Sequence, residues 1–215
     1  MGYFPVFLDL KDKLVVIVGG GLEAARKVDL LVHEQARIHI FADDLIPSLL
    51  ALVEGEYVHW FRRPPQAEDL AKAFLVVVTS GQKQVARQIF QEVNPAQRLV
   101  NSADDVPNSN FIFGSVTSSG PVQVAVATSG KSPAFGQHLR DRIGALLREE
   151  RVGELVDFLG GWRPHVTQAL GTHAQRSRFW HRLLESPLPQ FIRSGEPQLA
   201  TETFHQILNE ERRTK

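Results

Sequence analysis

The sequence predicts an α/β protein: a Rossmann-like parallel sheet domain, then a hairpin-plus-helix dimerisation segment, then a helical C-terminal region. Three observations carry this. Strand-like and helix-like stretches alternate through the first hundred residues, a three-glycine turn joins the first strand to the first helix, and no strand pattern remains beyond residue 150. The boundaries fall at 1–110, 111–149 and 150–215. With 215 residues, 43% of them hydrophobic, the chain can bury a substantial core.

The first strand, "LVVIV" (14–18), is apolar on both faces, as a central parallel strand requires. Residues 22–34 set Ala25, Val28, Leu31 and Val32 at helical spacing. "ARIHIFA" (36–42) and "EYVHWF" (56–61) are the second and third strands. A short helix around "AEDLAKA" leads to "FLVVVTS" (74–80), a helix follows in "QKQVARQIFQEV", and "RLVNS" (98–102) is the fifth strand.

The pattern then changes. "NFIFGSVTSSGPVQVAVATSG" reads as two strands about a Ser-Gly-Pro turn. A helix starts at Ser132-Pro133, with serine as its cap and proline at the first helical position. "VGELVDFLGGW", "THAQRSRFWHRLLE" and "ATETFHQILNEERR" read as three helices broken by Gly-Gly, Pro and Gly. The hairpin over 111–128 presents apolar alternation, and Leu139, Ile143, Leu146 and Leu147 form one stripe on the helix over 133–148. Both need a covering surface, so a homodimer is expected.

Composition narrows the function. Lys plus Arg and Asp plus Glu number 24 each, so no charge imbalance points to nucleic acid or an anionic membrane. There is no cysteine, which removes disulfides and thiolate metal sites and suits a reducing cytoplasm. The N-terminal stretch lacks the form of a signal peptide, and the longest apolar runs are strand-sized, so a soluble cytoplasmic protein is expected. The 8 histidines include no pair four residues apart, and no metal site is expected.

Gly19, Gly21 and Ala24 fit G-x-G-x-x-A between a strand and a helix. The first glycine permits the tight turn, the second lets the backbone approach a pyrophosphate, and the small third residue lets the helix pack on the strand. The phosphates would face the N–H groups of the helix start, so Leu22 and Glu23 join the candidate cofactor contacts. A plain strand-to-helix turn is the competing reading. Asp43 and Asp44 follow the second strand, where a carboxylate bonds the ribose hydroxyls, and two of them would repel the extra phosphate of NADP. NAD is therefore the expected cofactor. "GKS" (130–132) imitates the end of a P-loop, but Ala125 stands where its first glycine belongs and Pro133 follows.

The ordered motifs "FPVFLDLKDKLVVIVGGGLEAARKVDLL", "RLVNSADDVPNSNFIFGSV", "GPVQVAVATSGKSPAFGQHLRDRI" and "RSRFWHRLL" resemble those of precorrin-2 dehydrogenases, the NAD-dependent enzymes of siroheme synthesis. The same motifs resemble the equivalent N-terminal module of siroheme synthase, and the resemblance covers nearly the whole chain. It implies conversion of precorrin-2 to sirohydrochlorin with NADH formed, in a homodimer. Some members also insert ferrous iron and others do not, and the sequence leaves that second activity open. The family's N-x-x-D motif falls on Asn101 and Asp104, which implies a substrate contact and the catalytic carboxylate.

Asp104 lies just past the fifth strand, where open α/β sheets bind ligands, and a carboxylate there can take a proton. Asp105, one residue on in what reads as an extended segment, should point away. Thr79, at the end of the fourth strand, is a further cofactor contact. A substrate rich in carboxylates calls for cations, for which Lys131, His138, Arg140 and Arg142 are candidates. Departures from the family pattern are Gly114 in place of a proline, Thr79-Ser80-Gly81 without acidic residues, and Thr128 where some siroheme synthases carry a modified serine.

Two other readings stay open at this stage: a Rossmann oxidoreductase for another small molecule, and a non-catalytic NAD-sensing module. Asp104 bears on both. A sensor has no need of a carboxylate there, and other dehydrogenases more usually place His, Lys or Tyr at that point.

Overall fold

Five short runs of aliphatic and β-branched residues become the strands β1 (Leu14–Val18), β2 (Arg37–Phe41), β3 (Val58–Phe61), β4 (Leu75–Val78) and β5 (Leu99–Ser102). Between them lie α1 (Leu22–His33), α2 (Pro47–Val53), α3 (Ala67–Lys72) and α4 (Lys83–Val93). The computed structural model describes residues 2–53, 55–96 and 98–213. The chain divides into one unit up to Phe113 and a second from Gly114.

In the first unit the strands pair in the order β3-β2-β1-β4-β5, all parallel. Alternation along β1 explains why both faces must be apolar. Val15 and Ile17 enter one core with Val28 and Leu31 of α1 and Leu49 of α2. Val16 and Val18 enter the other with Leu70 of α3 and Ala86 and Ile89 of α4. This is the doubly wound fold expected from the sequence. Connections from β1 and β4 run to opposite sides of the sheet, so their carboxyl ends bound a crevice. A reciprocal cap starts α3: Gln66 N–H donates to Asp69 Oδ2 at 2.8 Å, and Arg63 donates to the same carboxylate at 2.7 and 3.2 Å.

The second unit begins with the antiparallel hairpin β6 (Ser115–Ser119) and β7 (Val122–Val126), which turns at Gly120 with φ +54°. Five helices follow: α5 (Pro133–Glu149), α6 (Val152–Ala169), α7 (His173–Glu185), α8 (Leu188–Ser194) and α9 (Pro197–Arg213). Ser132 caps α5 by accepting from Phe135 N–H. The helix comes close to the hairpin because Gly144 faces Thr117; a Cβ there would stand 2.6 Å from Thr117 Oγ1. Val122, Val124 and Val126 share that inner face and are half-buried against α5 of the same chain. On the hairpin and α5 the large apolar side chains left exposed are Val116 (44%), Phe135 (57%) and Leu146 (55%).

The expected break at Gly160-Gly161 does not occur. α6 continues through both glycines and Pro164. Phe158, Leu159, Trp162 and Val166 pack at helical spacing against Phe179, Leu183 and Phe204. That burial outweighs about 1 kcal/mol for each glycine and about 3 for the proline. α2 and α8, each of 7 residues, were not anticipated as helices.

Candidate functional site

The three glycines after β1 answer to three different demands. Gly19 has φ +127°, and a Cβ there would lie 2.5 Å from Thr79 Oγ1. Gly20 admits no side chain, since a Cβ would fall 1.9 Å from the carbonyl oxygen of Asp44, while Gly20 C=O accepts from Ile46 N–H at 3.0 Å. A Cβ at Gly21 would meet nothing within 4 Å, so packing of the chain does not ask for glycine at that position. The first rung of α1 is Ala25 N–H to Gly21 C=O at 3.1 Å. The N–H groups of Leu22, Glu23 and Ala24 therefore stand outside the helical ladder, and no side chain caps them. Ala24 itself is fully buried under the sheet. An accessible glycine and three free donors at a helix start fit a pyrophosphate.

Gly20 was not singled out from the motif, where it fills a variable position. Its need arises from a loop some twenty residues on. That loop is held from β3 as well. Trp60 Nε1 donates to Ala42 C=O at 2.9 Å, Arg62 Nε donates to Asp43 C=O at 2.8 Å, and Arg62 Nη2 pairs with Asp44 Oδ1 at 2.8 Å. The two expected ribose carboxylates thus stand beside a cation that sequence reasoning missed.

A cavity of about 300 Å3 opens past the carboxyl ends of β4 and β5, lined by Glu23, Thr79, Lys83, Ser102, Asp104 and Asp105 among others. Thr79 is oriented by β1, its N–H and Oγ1 both donating to Val18 C=O at 2.8 and 3.2 Å. Glu23 is paired with Lys27 at 3.2 Å. Lys83, at the start of α4, brings a cation into the cavity that sequence reasoning missed.

Asp104 is exposed and has φ +56°, a left-handed conformation that L residues rarely adopt and that aspartate tolerates better than most. Among the described residues its carboxylate has no bonded partner. Such conformations cluster at functional sites. Asp105 is engaged instead: its Oδ2 accepts from Asn108 Nδ2 at 2.8 Å and its C=O from Ser109 Oγ at 3.0 Å. The chain turns at Ala103–Asp104 rather than running extended, so Asp105 does not point away from Asp104 as alternation along a strand would require. Both aspartates line the cavity, and Asn108 is what distinguishes them.

Asn101 is buried on β5 and its Nδ2 donates to Phe111 C=O at 3.0 Å, which pins the chain downstream of the turn. Lys131, His138, Arg140 and Arg142 lie in the second unit, before and along α5. Arg140 pairs with Asp141. Thr128 Oγ accepts from Ser132 N–H at 3.2 Å, and a Cβ on Gly114 would meet Val126 C=O at 3.2 Å.

Three ionisable groups of the first unit are perturbed, Arg63 upward by its bond to Asp69, and Asp69 and His39 downward. Arg63, by its hydrogen bond, holds the Asp69 carboxyl below the usual carboxylate range. Burial, with His59 and Arg37 beside it, holds His39 below the usual imidazole range. Among the described residues no cluster of three His, Asp or Glu could hold a metal ion, and no helix is long and apolar enough to cross a membrane.

Three family models match the chain in succession. One described as putative NAD(P)-binding covers residues 6–115, one for the sirohaem biosynthesis protein central region covers 119–150, and one for the sirohaem synthase dimerisation region covers 151–208. Siroheme synthase of Mannheimia succiniciproducens is 38% identical over 200 residues, which are 93% of this chain and 42% of that protein. Siroheme synthase 1 of Serratia proteamaculans is 35% identical over 210 residues, 98% of this chain and 44% of that one. The chain thus spans less than half the length of these relatives. A solved structure titled SirC, precorrin-2 dehydrogenase, shares the fold, with TM-score 0.73 and 22% identity over 97% of this chain and 98% of that one.

Proposed function

The chain belongs to the precorrin-2 dehydrogenase and siroheme synthase family, and on that premise we propose that it oxidises precorrin-2 to sirohydrochlorin with NAD. The observation that carries this reading is Asp104, an unpartnered carboxylate in left-handed backbone, in one cavity with Thr79 and Glu23.

Bound NAD would supply the hydride acceptor. The N–H groups of Leu22, Glu23 and Ala24 would hold its pyrophosphate, Gly19 and Gly21 allow the close approach, and Asp43 and Asp44 lie at the ribose. Thr79, oriented by Val18 C=O, sits between this part and the cavity. Oxidation removes a hydride and a proton from the macrocycle, and the Asp104 carboxylate takes the proton. Asn101 supports the turn that presents Asp104. Lys83 is the cation that the cavity offers to the substrate carboxylates, and Lys131, His138, Arg140 and Arg142 are the basic candidates carried by the second unit. The exposed apolar side chains of the second unit form a homodimer contact.

Incubating the purified chain with precorrin-2 and NAD, and following NADH and sirohydrochlorin absorbance together, tests the reading. Both should rise in equal amounts. NAD binding without turnover would favour the sensing module, and turnover only of another substrate would favour a different oxidoreductase. The same assay with ferrous iron added reads iron insertion.

A further inference from the structure

The ion pair between Arg62 and Asp44 is 70% and 82% exposed at its two side chains. Pairs this exposed add little to stability. Its position is more informative. Arg62 extends from the end of β3 and reaches the turn after β2, the point where a dinucleotide-binding fold meets the adenosine ribose. It is anchored twice, by Nε to the Asp43 carbonyl and by Nη2 to the Asp44 carboxylate, each at 2.8 Å. The turn it grips cannot drift, because the Asp44 carbonyl lies against Gly20 and Ile46 N–H bonds Gly20 C=O. Trp60, whose ring lies 6.0 Å from the guanidinium, ties the same turn down through Ala42.

A guanidinium at this point is the group that would take a ribose 2′-phosphate. Here one of its two terminal nitrogens, Nη2, is occupied by a carboxylate of its own chain. We propose that Asp44 and Arg62 form a charge gate for the 2′ position: Asp44 holds the phosphate-binding cation, so a free 2′-hydroxyl is accepted at Asp43 and a 2′-phosphate is not. The inference rests on the dinucleotide reading above. It differs from simple repulsion by two carboxylates because it assigns a latent phosphate ligand, Arg62, that removal of one charge would release.

The test measures dissociation constants for NAD and NADP with the unaltered chain, Asp44→Asn, Arg62→Gln and the double variant. Asp44→Asn should shift the ratio of the two constants toward NADP about tenfold or more, the worth of one charge-assisted hydrogen bond, whatever its effect on NAD itself. Adding Arg62→Gln to it should remove that gain. A gain that survives in the double variant means that only repulsion was relieved and overturns the gate, as does Asp44→Asn without any gain. If the unaltered chain binds NAD and the gain is missing, this inference alone falls. A chain that binds neither dinucleotide overturns the proposed function and the gate together.

Discussion

Replacing Asp104 by asparagine separates its charge from its backbone. At φ +56° an alanine would add a conformational cost of about 1–2 kcal/mol, whereas asparagine tolerates the left-handed region as aspartate does. The asparagine keeps the shape and loses the base. If the carboxylate takes the proton, turnover should fall by about 10²–10⁴ while the melting temperature stays where it was, since no bond in the fold depends on that side chain. Asp105→Ala should do the reverse. It breaks the 2.8 Å bond from Asn108, worth about 1 kcal/mol, and should lower the melting temperature by about 2–4 °C with turnover little changed. Initial rates of NADH formation and thermal melts on the same preparations read both effects. Equal loss of turnover in the two variants, or a loss confined to Asp105→Ala, would refute the assignment. Unchanged turnover in both would leave proton removal to solvent.

Gly21→Val should abolish NAD binding without lowering the melting temperature, because its Cβ has open space around it; normal NAD affinity would make the motif a plain turn. Sedimentation at micromolar concentration should show a homodimer, and Leu146→Glu should shift it toward monomer; a monomeric parent chain would count against the exposed apolar surface as an interface. Asp69 is held low by Arg63, so its ion pair stabilises the fold above the usual aspartate range and ceases to as pH falls below it. Asp69→Asn should therefore cost about 0.5–1 kcal/mol at neutral pH and nothing in acid, and a cost that persists in acid would be packing rather than charge.

The fold class was legible because β1 and β4 are apolar on both faces and the helices that follow them, α1 and α4, are long enough to show a period. α2 and α8 are too short to show one. At α6 the local punctuation of Gly160, Gly161 and Pro164 misled, since it was overruled by Phe158, Trp162 and Val166 meeting partners from α7 and α9. The site divides in the same way. Gly19, Gly21 and Ala24 could be read because all of that motif lies in one turn of chain. Gly20, Arg62 and Lys83 could not, because each takes its meaning from a neighbour that only strand order supplies. Asp105 differs from Asp104 through Asn108, a contact invisible until the turn is known.

The strand order also sets a timetable. Among the described residues no pair of strands in the first unit is joined by a hairpin: Val15 must find Leu75 across three helices and two strands, and Leu75 must find Leu99 across α4. In the second unit Ser115 finds Val126 across one tight turn, and the helices that follow pack largely on near neighbours. Loop closure is slow where partners are distant in sequence and fast where they are near. A chain emerging from the ribosome thus makes its slow half first. The central strand stays without its β4 neighbour until the fourth strand has been synthesised, and its bare apolar edge is the segment most in need of a chaperone.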